Sequence, residues 1–511
     1  MKKLFFFLFL TTFAAITINA QVPDDALRNA WFIPGGTARY VSIGGAIGSL
    51  GGDITANNVN PAGIGLYKTR EIVFTPGVMM NNNKFNYRGD NSNDSKTAFA
   101  YGATGVIIGT PKPTGYTWTS SAFSVSVNQL ASFNNHTYYK GLNNVSSYSE
   151  QYLEELIRDN ASPDAANANY IFGSSLAFRT YLIDTLSNAN GNLIGYKTLV
   201  PIATGTMQER DEKTTGGYHE ISIAFAGNLA DKLYLGTSIN IPVVSYKRDL
   251  WYKETDATTD TANNFSYFQY NENFTSNGVG FNLKLGMIYK IEEGFRLGLA
   301  IHSPSFIGFK DKIRSDMTTN TEAYAGLRTE SSDNLNSGNP GERSYNLLTP
   351  WRFIVSGSYI FNGVENTKKQ KGFISGDIEY VTYGSARFYS TDDQDQTGKD
   401  YYTSLNNIVK DYYKGAFNFR LGGELKFDPI AVRLGGAYYG TPYSASALKA
   451  HRIVAAGGLG YRKHGYFIDL TYARSFNKDV SFPYLLNDKP NTYAEWNNNR
   501  GNIVVTVGFK I

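Results

Sequence analysis

GFNLKLGMIYK, residues 280–290, alternates apolar with polar or small side chains along its length. One face carries Phe281, Leu283, Leu285, Met287 and Tyr289, and the other carries Asn282, Lys284, Gly286 and Lys290. Because successive side chains of a β-strand point to opposite faces, this period of two predicts a strand with one apolar side and one polar side. A chain built from such strands is expected to be an all-β protein.

The same alternation recurs along the chain and predicts fourteen strands. We place them at about residues 70–80, 97–108, 117–139, 218–229, 232–247, 277–290, 294–305, 350–361, 371–384, 415–427, 430–440, 450–461, 464–476 and 500–511. The connections alternate in length: those near 230–231 and 428–429 are short, whereas those near 140–217, 248–276 and 306–349 are long. Short periplasmic turns and long extracellular loops are typical of outer-membrane barrels. The sequence therefore predicts a transmembrane antiparallel β-barrel of about fourteen strands, with both chain ends on the periplasmic side.

The composition agrees with a barrel and excludes several other classes. The 37 Tyr, 32 Phe and 51 Gly, against 16 Pro, suit a strand-rich chain with aromatic girdles at two membrane interfaces. The chain has no cysteine, which excludes disulfides, zinc–cysteine sites and thiol nucleophiles. Its formal net charge of +4 is small for 511 residues and predicts no nucleic-acid binding.

Charged residues fall opposite the apolar stripe of the predicted strands. They are Lys284, Arg296, Arg420, Glu424, Lys426, Arg433 and Asp469. One charge facing lipid near the bilayer midplane costs roughly 2–4 kcal/mol, so these side chains are expected to face the lumen. Two interpretations remain open: the charges pair with one another in a plugged interior, or they line a conduit for solutes.

The first residues carry an export signal. Lys2 and Lys3 precede the apolar stretch 4–16, and Ile18-Asn19-Ala20 supplies small-residue cleavage chemistry. We therefore predict three parts: a signal peptide at 1–20, an N-terminal hatch at 21–69, and an outer-membrane barrel at 70–511 with a long extracellular loop near 140–217. The expected location is the cell outer membrane.

Residues 21–69 do not alternate and are too few to bury a core of their own. In front of a barrel they predict a partly helical plug. The stretch TARYVSIGGAIGSLGGDITANNVNPAGIGLY, residues 37–67, and above all Asn60-Pro61-Ala62, resembles the FadL/OmpP1/TodX family of outer-membrane transporters for long-chain fatty acids and other hydrophobic compounds. With signal peptide, hatch and barrel, the resemblance extends over the whole chain.

The resemblance implies that the hatch blocks a straight pore and that Asn60, Pro61 and Ala62 take part in gating. It also implies capture of a hydrophobic ligand from outside, with an exit to the periplasm or through a lateral gap at a kink in the third strand. The polar break at Asn128-Gln129 and Asn134-Asn135 is the candidate kink. A plain extension of the strand above the membrane is the alternative.

The long loop contains a helix-like stretch, 148–159, and an apolar stretch, 170–186. The apolar stretch is expected either to capture ligand or to pack within a cap. The partners expected are a hydrophobic small molecule, the outer-membrane lipids including lipopolysaccharide, and possible protein partners at the extracellular loops. No cofactor is expected.

The sequence carries no catalytic motif that we recognise. Asn134-Asn135-His136 superficially resembles part of a Ser/His/Asn phospholipase set, but no Gly-x-Ser-x-Gly elbow accompanies it. HExxH, P-loop and EF-hand motifs are also missing from the sequence. We expect no enzymatic activity. The leading hypothesis is an uptake channel for fatty acids or aromatic hydrocarbons, and the alternative is an interaction protein that docks components of a secretion system through its loops.

Overall fold

The computed structural model describes residues 23–113, 115–362, 370–392, 394–446 and 450–511. The predicted signal peptide, residues 1–20, lies outside the described residues. Fourteen antiparallel strands form one closed barrel, in which each strand pairs with its neighbours in the chain. The first strand pairs with the last, with Ile72 opposite Phe509 and Gly77 opposite Val504. The predicted antiparallel barrel is therefore confirmed.

Bulges or short breaks divide several of the barrel strands into two ranges. In chain order the strands are Arg70–Phe74 with Pro76–Tyr87, Asp90–Tyr101 with Thr104–Pro111, Trp118–Ser132 with Asn135–Asn143, Thr206–Leu229, Leu233–Asp256, Tyr267–Lys290, Phe295–His302 with Phe306–Asn320, Gly341–Leu348 with Arg352–Phe361, Gly372–Thr382 with Arg387–Ser390, Gly415–Phe427, Ile430–Tyr439, His451–Lys463, Tyr466–Ser481 and Ala494–Lys510. Leu327–Ser331 pairs with the seventh strand, and Ile183–Ser187 with Leu193–Thr198 forms a separate hairpin.

Helices lie in the N-terminal segment, in the longer connections between strands and in the break of the ninth strand. The α-helices are Pro23–Arg28, Ala38–Ser42, Ala56–Val59, Glu150–Arg158, Pro163–Ala168, Ser174–Arg179, Ser332–Leu335 and Gln396–Tyr412, and the 3₁₀ helices are Pro61–Leu66 and Tyr383–Ser385. Within the described ranges, none of these helices has the length and apolar character needed to cross a bilayer.

The two faces of the barrel wall differ as the alternation predicts. On the sixth strand Phe281 is 63% exposed on the outside, whereas Lys284 is 4% exposed and points inward. Several inward charges are paired: the guanidinium of Arg433 lies 2.6 Å from the carboxylates of both Glu424 and Asp469. For these residues, pairing in a filled interior describes the structure better than an open charged conduit.

Strands four to six are longer than predicted. Each has 24 residues, whereas about 9–11 suffice to cross a membrane, so roughly half of each stands beyond the bilayer. The seventh strand likewise continues as Phe306–Asn320. The predicted loop boundaries near 140–217, 248–276 and 306–349 are therefore wrong in extent. The connection between the third and fourth strands spans only 144–205. The reason is physical: beyond the lipid the outward face is polar, and the apolar half of the alternation disappears.

Residues 144–205 pack on themselves as a cap at the end of the barrel that carries the long connections. Leu176 and Ala177, in the apolar stretch of this loop, are fully buried. The cap is joined to the fifth strand by the buried carboxylate of Glu254, which accepts hydrogen bonds from Ser147 Oγ, Tyr148 N, Thr206 Oγ1, Gln208 Nε2 and Tyr252 OH. Despite these donors, burial raises the pKa of Glu254, which lies beyond the membrane-spanning part of its strand, to about 7. These contacts favour packing within a cap over ligand capture as the role of the apolar stretch in this loop.

Candidate functional site

The N-terminal segment lies inside the barrel and contacts its wall on several sides. The backbone N–H of Ala38 donates to Thr506 Oγ1 of the last strand, at 2.7 Å. Farther along, the amide of Asn57 donates to the hydroxyls of Ser124 and Ser126 of the third strand, each at 2.8 Å. On the far side of the closed barrel, the backbone N–H of Gly48 donates to the carboxylate of Asp377 on the ninth strand, at 3.2 Å. Contacts with the third, ninth and last strands together place the segment across the lumen.

Asn60 joins this segment to the sixth and seventh strands. Its Nδ2 lies 2.6 Å from the carbonyl oxygen of Gly48 and 3.2 Å from those of Met287 and Leu299. Its Oδ1 accepts from the backbone N–H of Ala62 at 3.2 Å and so caps the 3₁₀ helix that Pro61 begins. The side chain therefore fixes the local turn and also attaches that turn to the wall.

Glycines in the wall allow this close approach. A Cβ on Gly286 would lie 1.9 Å from Asn60 Oδ1, and one on Gly236 would lie 2.4 Å from the backbone of Pro61 and Ala62. Real Cβ atoms do not approach other atoms so closely, so a side chain at either position would displace the segment. The high glycine content of the strands thus has a specific packing use at this contact.

The third strand is irregular where the sequence predicts a kink. Pairing with the fourth strand shifts between Gln129 and Ala131, so that Leu130 is an extra residue, as in a β-bulge. Strand structure then stops at 133–134 and resumes as Asn135–Asn143. The strand is therefore interrupted, as the kink hypothesis predicts. It also continues beyond the break, as the alternative of a plain strand extension predicts.

Contacts with the first strand show that the third strand bends inward beyond the bulge. Asn81 Nδ2 donates to the carbonyl of Asn134 at 2.6 Å, and Asn83 Nδ2 donates to Asn135 Oδ1 at 2.8 Å. The second strand separates the first and third in the barrel order, so these two could not meet in a regular wall. Side chains of the first strand therefore contact the bent segment directly.

The bend leaves a seam between the second and third strands. Thr104–Pro111 pairs regularly with the third strand, but in the described part of the chain no backbone ladder joins Asp90–Tyr101 to it. Side-chain contacts bridge the seam instead: Gln129 Oε1 accepts from the backbone N–H of Tyr101 at 3.1 Å. Farther out, His136 lies 2.7 Å from the carboxylate of Asp94. The wall here is held by a few polar contacts.

The stretch 33–36, Ile-Pro-Gly-Gly, lies against the inner side of this seam. The N–H of Gly35 donates to the carbonyl of the bulged Leu130 at 3.2 Å, and Asn128 Nδ2 donates to the carbonyl of Gly35 at 2.9 Å. Asn128 also contacts Asn58 Oδ1, at 3.3 Å. Sequence reasoning missed this stretch, although its Pro-Gly-Gly turn was the available signal. Asn128 and Gln129 thus meet the N-terminal segment, whereas Asn60 lies apart from them on strands six and seven.

An apolar cavity opens beside the seam. We call it the seam cavity. It lies between the N-terminal segment and the wall, and its lining includes Ile33, Tyr40, Val41, Leu130, Ala131, Val454 and Val504. The same cavity reaches Tyr101 and Gln129, which bridge the seam. A hydrophobic molecule in the cavity would therefore lie directly behind the seam.

A second, charged cavity adjoins the first. Four residues line both: Pro34, Gly35, Tyr40 and Leu130. The charged cavity holds Lys284 with Glu220, and Arg352 and Arg420 around Glu379, with Arg420 Nη2 2.6 Å from the Glu379 carboxylate. The two adjacent cavities offer an apolar region and a region of cationic donors. Over the described ranges, no group of three or more His, Asp or Glu is arranged to hold a metal ion.

The fold is similar to two solved structures. The crystal structure of a Pseudomonas aeruginosa FadL homologue matches with a TM-score of 0.54 and 13% sequence identity, covering 93% of this chain and 99% of that chain. The structure of the P. putida toluene transporter TodX matches with a TM-score of 0.52 and 12% identity, covering 94% and 99%. No protein-family model and no curated protein matches the sequence. The chain shares the FadL and TodX fold, which agrees with the resemblance drawn from residues 37–67.

Proposed function

We propose that this protein is an outer-membrane channel for the uptake of hydrophobic small molecules, and that its ligand passes through the seam cavity. The observation that carries the proposal is the apolar cavity behind a wall segment without a backbone ladder. The fold shared with a FadL homologue and a toluene transporter supports the same function. In this proposal the N-terminal segment acts as a hatch, since it contacts the wall on several sides of the lumen.

The ligand class we propose is a long-chain carboxylic acid. An acyl chain gains about 0.8 kcal/mol for each methylene group moved from water into an apolar cavity, so ten methylenes contribute roughly 8 kcal/mol. The ligand's carboxylate would replace Glu220 or Glu379 as the ion-pair partner of Lys284, Arg352 or Arg420 in the adjoining cavity. An aromatic hydrocarbon needs the apolar cavity only, and is the second ligand class to test.

Uptake by cells tests this function. Cells that lack the protein, and cells in which it is restored, are compared for uptake of a tagged long-chain fatty acid and of toluene. Restored uptake of the fatty acid is expected. If neither compound enters faster with the protein folded in the outer membrane, the uptake function is wrong. A Lys284→Met/Arg352→Met variant separates the ligand classes, since it should impair fatty-acid uptake and spare toluene.

Deleting Leu130 tests the route through the seam. Leu130 is the extra residue of the bulge, so its loss restores continuous pairing between the third and fourth strands and removes the inward bend. We expect the barrel to fold, and uptake to fall to the level of cells without the protein. Deletion of Thr259, in the exposed connection 257–266, is the matched control and should leave uptake unchanged. Normal uptake after deletion of Leu130 would place the route elsewhere.

One surface favours the docking function as a second candidate. The hairpin of Ile183–Ser187 and Leu193–Thr198 exposes Leu186, Leu193 and Ile194 on the extracellular side. An exposed apolar group of this kind suits contact with another protein. Co-purification of a stoichiometric partner that is lost on Ile194→Asp, together with normal fatty-acid uptake by that variant, would support docking as a separate activity.

A further inference from the structure

The outward side chains of strands four to seven change from apolar to mostly polar beyond the membrane. On the fifth strand the outward residues Ile239 and Ile241 are exposed and belong to the apolar belt. The outward residues that follow are Ser245, Lys247, Asp249, Trp251 and Lys253. We call the outward side chains beyond the belt on these strands the upper polar face. It continues the lipid-contacting surface of the same strands.

Strand pairing arranges this face in two rows. One row is Tyr138, Asp211, Trp251, Asn271 and Asp316, from the third to the seventh strand, and the row below it is Lys213, Asp249, Asn273 and Arg314. Trp251 and Tyr138 are thus two strands apart, about 10 Å, with a carboxylate between them. Strands four to seven form an open concavity around Trp251.

The chemistry of these rows suits a sugar. An indole or phenol ring offers a flat apolar surface with a polar edge, and can lie against the apolar face of a pyranose ring. Carboxylate and amide oxygens beside the ring accept hydrogen bonds from hydroxyl groups, and amide nitrogens donate to ring and hydroxyl oxygens. In the aromatic row Asp211 and Asn271 stand directly on either side of Trp251.

A basic band lies between this row and the apolar belt. Lys247, Lys310 and Lys312 point outward there, and the two latter share the carboxylate of Glu342, each at 2.7 Å. The side chains of Lys310 and Lys312 are about half exposed, so these ion pairs are weak and can exchange for another anion. The face is therefore cationic near the lipid, and acidic and aromatic farther out.

We propose that the upper polar face binds the phosphorylated oligosaccharide head group of the glycolipid in the outer leaflet around the barrel. The phosphates would contact the basic band, and a core sugar would lie on Trp251. The positions agree with this order, because Trp251 lies eight residues beyond Val243 of the belt, about 26 Å along the strand. The proposed ligand is thus a lipid of the membrane itself, because the upper polar face directly continues the lipid-facing belt.

Binding by the purified, detergent-solubilised full-length protein tests the proposal with three probes. These are lipopolysaccharide with its core oligosaccharide, lipid A alone, and the free core oligosaccharide. Wild type should bind the core-bearing form more tightly than lipid A, and free oligosaccharide much more weakly than either. Trp251→Ala should weaken binding of the core-bearing form roughly tenfold and leave lipid A unchanged. Lys310→Gln/Lys312→Gln should weaken both lipids.

A matched control and two results make the proposal refutable. Tyr116→Ala removes an exposed aromatic ring from the short connection between the second and third strands, on the opposite side of the membrane, and should change nothing. Equal binding of lipid A and the core-bearing form, or no effect of Trp251→Ala, would overturn the proposal. Free oligosaccharide bound as tightly as lipopolysaccharide would assign the face to a soluble sugar instead. Fatty-acid uptake by Trp251→Ala should stay normal, which separates this site from the channel function.

Discussion

Replacing Asn60 by alanine should release the hatch without unfolding the barrel. The two hydrogens of Nδ2 serve the carbonyls of Gly48, Met287 and Leu299, and Oδ1 accepts from Ala62. At most three full hydrogen bonds are lost, each worth about 1 kcal/mol net. The hatch should therefore be destabilised by about 3 kcal/mol, which raises its undocked population roughly hundredfold. The backbone ladders of the barrel do not involve Asn60, so heat-modifiability on gels should be unchanged.

Cysteine labelling measures this population directly, since the chain has no cysteine of its own. Ser49 is fully buried in the segment, next to Gly48, and Ser49→Cys places a thiol there. Its reaction with a water-soluble thiol reagent should be roughly a hundred times faster with Asn60→Ala than without it, when opening is rapid relative to labelling. Asn86→Ala, which removes one exposed hydrogen bond to Asn91, is the control and should not change the rate. Equal labelling with and without Asn60 would refute the anchoring role.

Two further predictions concern the wall and the cap. Gly286→Ala should reproduce the labelling of Asn60→Ala, because its Cβ would lie 1.9 Å from Asn60 Oδ1, whereas Gly357→Ala, with its nearest atom 3.9 Å away, should not. In the cap, the pKa of Glu254 is raised from 4.5 to about 7, so the folded cap prefers the protonated form. Its stability should fall by about 3 kcal/mol as pH rises from about 4.5 to about 7 and then level off. The rate at which a protease cleaves 144–205 should rise over this pH range in wild type, and Glu254→Gln should lose that rise. The same pH dependence in both proteins would contradict the role of Glu254.

The barrel could be predicted from the sequence because its wall is a local pattern. Within the lipid, one face of each strand must be apolar, so a stretch such as 280–290 shows the strand and its sidedness together. Beyond the lipid that constraint ends. Residues 206–217 of the fourth strand are mostly polar, and they resemble a loop in sequence although they are regularly paired.

The site was less predictable because its contacts join distant parts of the chain. Asn60 was a candidate through a motif, but its partners Met287 and Leu299 are more than 220 residues away. The polar residues at 128–135 indicated an irregular strand, whereas the missing ladder to Asp90–Tyr101 depends on how two strands bend. The contact of Gly35 with Leu130 had no periodic signal at all.

Photochemical cross-linking locates the ligand and tests the central claim most directly. The purified protein is irradiated with a fatty acid that carries a photoreactive group in its chain, and the modified peptides are identified by mass spectrometry. Adducts are predicted in two stretches that line the seam cavity, 33–45 and 129–132, and an excess of unlabelled fatty acid should abolish them. Adducts confined to the outward apolar belt, or adducts that resist competition, would contradict a ligand route through the seam cavity.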